Sequence, residues 1–256
     1  MSDAGAERGL VQPERSGTPD LPRPVAKLVE RLAGTTGVAA VVLGGSRATG
    51  RATRQSDWDL GLYYRGVPDL EPLHELGDVH PPGSWGRLMN GGAWLSLEEL
   101  RIDVLLRDLD TVEHWTSEAQ HGRYAVDGLL GYLAGLPTYT LTAEVASSIV
   151  LTGRLPVHTA YPADLARVGP ERWRFHRDFS LSHAARAAEL GNEPVALGQL
   201  ARAMVEEAHA RHCAARRWVL NEKRIFDGTD LAPSLPRVPA GGLTALVEAT
   251  RDLLRS

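Results

Sequence analysis

Two aspartates one residue apart, Asp57 and Asp59, follow closely on the turn Gly44-Gly45-Ser46-Arg47-Ala48-Thr49-Gly50. Alternate residues of a strand point to one face, so the pair can present two carboxylates side by side. Oxygen donors of that kind suit a hard divalent cation such as Mg²⁺. A glycine-rich turn exposes backbone N–H groups and lets a bulky anion approach the main chain. A helix starting there aims its N-terminus at the same anion. A phosphate cradle beside paired carboxylates has the parts of a metal–nucleotide site, in which the carboxylates hold the metal and the metal holds the phosphates. Asp103, within Leu100-Arg101-Ile102-Asp103-Val104-Leu105-Leu106, adds a third carboxylate. A charge among apolar strand residues is costly unless it is paired or metal-bound.

The elements that must position these groups can be read from periodicity. Val25, Leu28, Val29 and Leu32 recur at helical spacing over 22–32, and 38–43 is an apolar run that reads as a buried strand. A short helix is expected over 46–51 and a second strand over 58–64, with Trp58, Leu60 and Leu62 on the face opposite the aspartates. Residues 65–84, with several prolines and glycines, read as a loop or a broken helix. Asn90-Gly91-Gly92 predicts a hairpin within 85–97, paired with the strand that carries Asp103. After residue 109 the texture turns helical, with helices expected over 111–121, 143–151, 171–190, 195–220 and 243–254. A connection is expected over 152–162, a loop over 227–241, and a polar, disordered tail over 1–20.

Gly-Gly-Ser, then Asp-x-Asp, then a lone Asp on a later strand resembles the DNA polymerase β-like nucleotidyltransferase superfamily. Within it the chain is most similar to small bacterial antibiotic nucleotidyltransferases and the minimal nucleotidyltransferases. The matching residues are Gly45, Ser46, Asp57, Asp59 and Asp103, and the specific likeness covers roughly residues 25–110. The resemblance implies an α+β fold: a nucleotidyltransferase domain of mixed sheet and flanking helices over 21–120, then a helical bundle over 121–256. It implies Mg²⁺-dependent transfer of a nucleoside monophosphate, AMP from ATP, to a hydroxyl of a small molecule, with release of pyrophosphate. Asp57, Asp59 and Asp103 would hold two Mg²⁺ ions. Gly44, Gly45 and Ser46 would grip the triphosphate, with Arg47 and Ser56 as further contacts. Similar Leu-Asn-Glu-Lys segments occur in the helical halves of such enzymes, where the lysine reaches the triphosphate; here that lysine is Lys223. The proton acceptor is either Asp103 or a helical glutamate, Glu206 or Glu207, which otherwise read as solvated surface residues. Two alternatives use the same chain: an antitoxin-type module that AMPylates a partner protein, and a non-catalytic nucleotide-binding module.

The bulk numbers set outer bounds. The 256 residues are 43% hydrophobic and 23% charged, as in an ordinary globular protein. The formal net charge is −4, so no overall basic field draws in a nucleic acid backbone, which argues against the tRNA- and polyadenylate-extending branches. The one cysteine, Cys213, can form no intrachain disulfide and reads as a small buried hydrophobe. No apolar run approaches a membrane span or a signal peptide, so a cytoplasmic location is expected. His74, His80, His114 and His121 show no metal-ligand spacing. The pairs Arg202/His209 and Arg177/His183 fit the loose Arg-x-His pattern of ribonuclease helices, a pattern that an Arg-rich chain meets readily by chance.

Overall fold

The computed structural model describes residues 19–231 and 240–255. The expected tail therefore lies almost wholly outside the described residues, as does most of the expected loop over 227–241. A first helix, α1 (Arg23–Ala33), buries Val25, Leu28, Val29 and Leu32 along one stripe. The strands are β1 (Val38–Leu43), β2 (Trp58–Tyr64), β3 (Gly77–His80), β4 (Gly91–Leu97), β5 (Leu100–Asp108) and β8 (Ile149–Gly153), in the spatial order β3-β4-β5-β2-β1-β8. Only β2 and β5 run parallel; their neighbours are antiparallel. Two short strands, β6 (Val126–Asp127) and β7 (Leu136–Pro137), pair apart from this sheet.

Strand alternation gives the sheet two different faces. Val41, Leu43, Leu60, Leu62, Ile102, Val104 and Leu106 point to one face and form a core with α1. On the other face Ala40, Val42 and Tyr63 pack with Leu109 and Val112 of α4 (Leu109–Gln120) and with Leu141 and Val145 of α5 (Thr140–Ser147). This second core covers one end of the face. The opposite end, at the starts of β2 and β5, stays open and carries Asp59 and Asp103.

The rest of the described chain is helical. The long helices α6 (Ala163–Glu189) and α7 (Glu193–Ala214) pack along each other, with α8 (Gly242–Arg255) against both. Their core centres on Trp173, which is fully buried, stacks on His209 at 4.2 Å between ring centroids, and donates from Nε1 to the Tyr139 hydroxyl at 2.9 Å. Cys213 is buried in the same core. The α+β class holds, and no helix among the described residues is long and apolar enough to cross a membrane.

Several local expectations are corrected. The helix expected over 143–151 stops at Ser147, and Ile149–Gly153 instead becomes the edge strand β8 beside β1. The β-branched pair Ile149-Val150 favours that state, and β1 offers an open edge for it. Asn90-Gly91-Gly92 is not a hairpin tip: Asn90 has φ 65°, but β4 begins at Gly91 and turns into β5 at Glu98, where φ is 55°. Residues 77–80 form a strand, β3, where a loop or broken helix is expected. Helix α6 starts at Ala163 and runs through Pro170, not from residue 171. There tertiary packing outweighs the lost backbone bond: Pro170 is buried, and a Cβ on Gly169 would stand 3.0 Å from the Cys213 sulfur. Helix α7 ends at Ala214 rather than near 220, and Arg216 turns the chain with φ 52°.

Candidate active site

The parallel register of β2 and β5 sets Asp59 directly beside Asp103. Register partners point to one side of a sheet, so both carboxylates stand on the open face, each half-buried. Their neighbours Trp58, Leu60, Ile102 and Val104 turn to the opposite core. Asp57 precedes β2 and faces the same cleft. Its Oδ1 lies 2.7 Å from Arg101 Nε in an ion pair without hydrogen-bond alignment. Like charges directly opposite each other destabilise a sheet. Burial, then Asp103, then Asp57 push the Asp59 carboxyl above its ordinary range, while Lys223 and Arg47 pull it back. Burial and then Asp57 likewise raise Asp103, against Arg101 and Lys223.

The cradle is built onto this pair. The Gly44 N–H donates to the Asp59 carbonyl at 2.8 Å, tying the end of β1 to the start of β2. Gly45 then takes φ +59°, and a Cβ there would lie 1.8 Å from Asp59 Oδ2. Only glycine lets the chain turn so close to the carboxylate. A single helical turn, α2 (Gly45–Ala48), follows. Arg47 bends back: its guanidinium donates to the carbonyls of Asp57 at 3.1 Å and Ser56 at 2.5 Å and lies over the Trp58 ring. It fixes the loop that presents Asp57.

The far wall of the cleft comes from the segment after α7. Asn221 Oδ1 accepts from the Lys223 N–H at 3.0 Å and starts a 3₁₀ turn over Glu222–Arg224. The Glu222 carboxylate accepts from the N–H groups of Leu133 and Ala134 at 2.6 and 2.8 Å. His212 Nε2 lies 2.7 Å from the Ile225 carbonyl. These tethers hold the segment across from the sheet, with the exposed Lys223 facing Asp59 and Asp103. The cleft enclosed is about 570 Å³.

Of the residues expected from sequence, Gly45, Ser46, Ser56, Asp57, Asp59, Asp103 and Lys223 line this one cleft. Gly44 and Arg47 support it from behind rather than lining it. Glu206 and Glu207 are buried, not solvated, and neither lines the cleft. Glu206 pairs with Arg202 and accepts from Ser180 Oγ; Glu207 pairs with Arg177, Arg174 and Arg211. Of the two arginines in the ribonuclease-like pattern, Arg177 is buried in the bundle and Arg202 is exposed. Trp218, Asn221 and Asp227 also line the cleft; the sequence points to the segment holding Trp218 and Asn221 but assigns a role only to its lysine, and it gives no sign of Asp227. For Asn221 a signal existed, since asparagine before a turn is a common cap.

Among the described residues no three His, Cys, Asp or Glu side chains already converge as a metal cage. The donor chemistry nevertheless fits a hard divalent cation: the carboxylates of Asp57, Asp59 and Asp103 line one cleft and repel one another.

The sheet, the turn and the paired carboxylates thus converge on one cleft. Residues 25–114 match the nucleotidyltransferase domain family. A solved structure similar in fold is a nucleotidyltransferase-like protein from Exiguobacterium sibiricum 255-15. It is 12% identical with a TM-score of 0.48, and the match covers 91% of this chain and 72% of that one. No curated protein matches the chain.

Proposed function

We propose that this protein transfers a nucleoside monophosphate, AMP from ATP, to a hydroxyl of a small molecule such as an antibiotic, releasing pyrophosphate. The observation that carries this reading is the pairing of Asp59 with Asp103 on one open face, between the Gly45 turn and Lys223. Asp57, Asp59 and Asp103 are the residues to hold two Mg²⁺ ions; bound there, the metal neutralises the triphosphate and lowers the pKa of the acceptor hydroxyl. Ser46 and the backbone N–H groups beside Gly45 bind phosphate oxygens, and Lys223 meets the triphosphate as a point charge from the opposite wall. The acceptor oxygen bonds to the α-phosphorus as the bond to the pyrophosphate oxygen breaks, and the hydroxyl proton passes to an Asp103 oxygen. A carboxyl raised above its ordinary range suits that role. The burial of Glu206 and Glu207 in ion pairs favours Asp103 over either as base. We assign the chain up to about residue 120 to nucleotide handling, the helices after it to closing the cleft, and the enzyme to the cytoplasm.

The test is to incubate the protein with Mg²⁺, each nucleoside triphosphate in turn and a panel of hydroxylated small molecules, then read products by mass spectrometry. A nucleotide-adduct mass with matching pyrophosphate, lost in Asp59→Asn, is expected. Adducts on a protein partner alone would move the acceptor class. No metal-dependent nucleotide binding would overturn the reading.

A further inference from the structure

The row that contains Asp59 and Asp103 does not end there. Trp94 of β4 is the register partner of Asp103, and Asp78 of β3 is the partner of Trp94. Asp59, Asp103, Trp94 and Asp78 thus follow one another across a single face of the sheet. Directly opposite residues have Cβ atoms about 4.5–5.5 Å apart. Trp94 is therefore the immediate neighbour of Asp103, on the side away from the Gly45 cradle. Trp94 is 53% exposed although a tryptophan is normally well covered.

Trp94 is also one member of a built aromatic cluster. The Trp85 ring stacks beside it at 5.3 Å between centroids, with 27° between the planes. His80 and Trp94 meet edge to face at 4.5 Å between ring centroids, and His80 lies 5.0 Å from Trp85. Trp85 lies over Gly92, where a Cβ would come within 2.6 Å of the ring. The loop that brings it there is pinned: the Trp85 N–H donates to the Asn90 carbonyl at 3.1 Å, and the Asn90 side chain bonds the Gly83 N–H at 3.0 Å and the Tyr64 hydroxyl at 2.7 Å. The wall is held in shape before anything binds.

In-line displacement brings the attacking oxygen from the side opposite the leaving pyrophosphate. If the triphosphate lies on the cradle beside Asp59, the acceptor approaches past Asp103, where the Trp94 wall stands. We infer that Trp94, backed by Trp85 and His80, is the platform on which the acceptor binds, and that the acceptor is a ring compound. Its flat face stacks on the indole while a hydroxyl at the ring edge reaches Asp103. This rests on the nucleotidyl-transfer reading and adds the class of acceptor to it. It also places acceptor recognition on β3 and β4 of the nucleotidyltransferase domain, beyond the cleft wall that the helices supply.

The test separates the two readings. Binding of MgATP and of ring-bearing alcohols, with p-nitrophenyl glucoside as the lead probe and glycerol as the ringless control, is measured by calorimetry. Wild type, Trp94→Ala and Trp94→Phe are compared. Wild type should bind the ring probe in preference to glycerol. Trp94→Ala should bind it about tenfold more weakly, the scale of one lost aromatic stack, and Trp94→Phe should stay near wild type. MgATP affinity should be equal in all three. Equal ring-probe affinity in wild type and Trp94→Ala, or no preference of wild type for rings over glycerol, overturns the platform. Failure of wild type to bind MgATP overturns the nucleotidyl-transfer reading instead.

Discussion

Gly45 and Asp59 leave each other no room: a Cβ on Gly45 would stand 1.8 Å from Asp59 Oδ2. Gly45→Ala must therefore displace the carboxylate as well as bear the strain of φ +59°. Gly50 supplies the control, because it has φ +71° but nothing within 4 Å of where a Cβ would stand. Both alanine variants should lose roughly 1 kcal/mol of stability from backbone strain. Only Gly45→Ala should lose nucleotide binding, by about tenfold or more, the equivalent of one charge-assisted hydrogen bond. Calorimetric titration with MgATP beside thermal melts checks both. Equal losses of affinity would mean that strain in the turn, not the Asp59 contact, governs the site.

The pH dependence of stability follows from Asp59 and Asp103. Both carboxyls are raised by burial and by like charges, so ionising them costs more in the folded chain than in the unfolded one. Their contribution becomes unfavourable as pH rises from the ordinary carboxylate value through the raised folded value, and it stays unfavourable above that. Asp103→Asn should then melt higher than wild type at neutral pH, by on the order of a degree or two. The gap should close as pH falls into the ordinary carboxylate range. Mg²⁺ should raise the melting temperature of wild type more than that of the variant. A lower melting temperature for Asp103→Asn at neutral pH would reveal a structural partner for this carboxylate.

Lys223 separates nucleotide from acceptor. It stands on the far wall, on a turn capped by Asn221 and tethered through Glu222 to Leu133 and Ala134. Lys223→Ala should raise KM for ATP by about tenfold or more, and KM for the acceptor by much less, since a charge against phosphate is lost. Lys223→Arg should recover part of this, because a planar fork does not replace a point charge. Steady-state kinetics in both substrates decides it; unchanged ATP kinetics would reduce the segment to a cleft wall.

Glu207 tests whether a bundle glutamate takes part in the reaction. It is buried, and its Oε2 lies 2.6 Å from Nη1 of the equally buried Arg177. Glu207→Ala removes the buried carboxylate from Arg177, which keeps Asp178 and the Leu254 carbonyl, so a loss of about 3 kcal/mol is expected in denaturant unfolding. Turnover per folded molecule should hold at low temperature. A fall in kcat without a fall in stability would make Glu207 a candidate base again.

The division between sequence and tertiary structure runs along the range of the interactions. Local order made the cradle and the carboxylates legible. Gly45-Ser46 after an apolar strand, Asp57 and Asp59 at the start of the next, and Asp103 inside a third are short-range patterns, and each strand alternates as its residues dictate. Pairing of 85–97 with the Asp103 strand was also legible, but its register was not. The register that makes Asp103 the neighbour of Asp59 and Trp94 is a relation between strands far apart in the chain, invisible in any one of them. Ile149–Gly153 carries strand chemistry but becomes a strand only because β1 presents an unpaired edge. Glu206 and Glu207 look like solvent-facing helix residues until the arginines of α6 and α7 close around them. Lys223 reaches the site because Glu222 finds two N–H groups on a distant loop. Side-chain type and spacing fix which chemistry a chain can offer; only long-range hydrogen bonding and packing decide which of those groups meet.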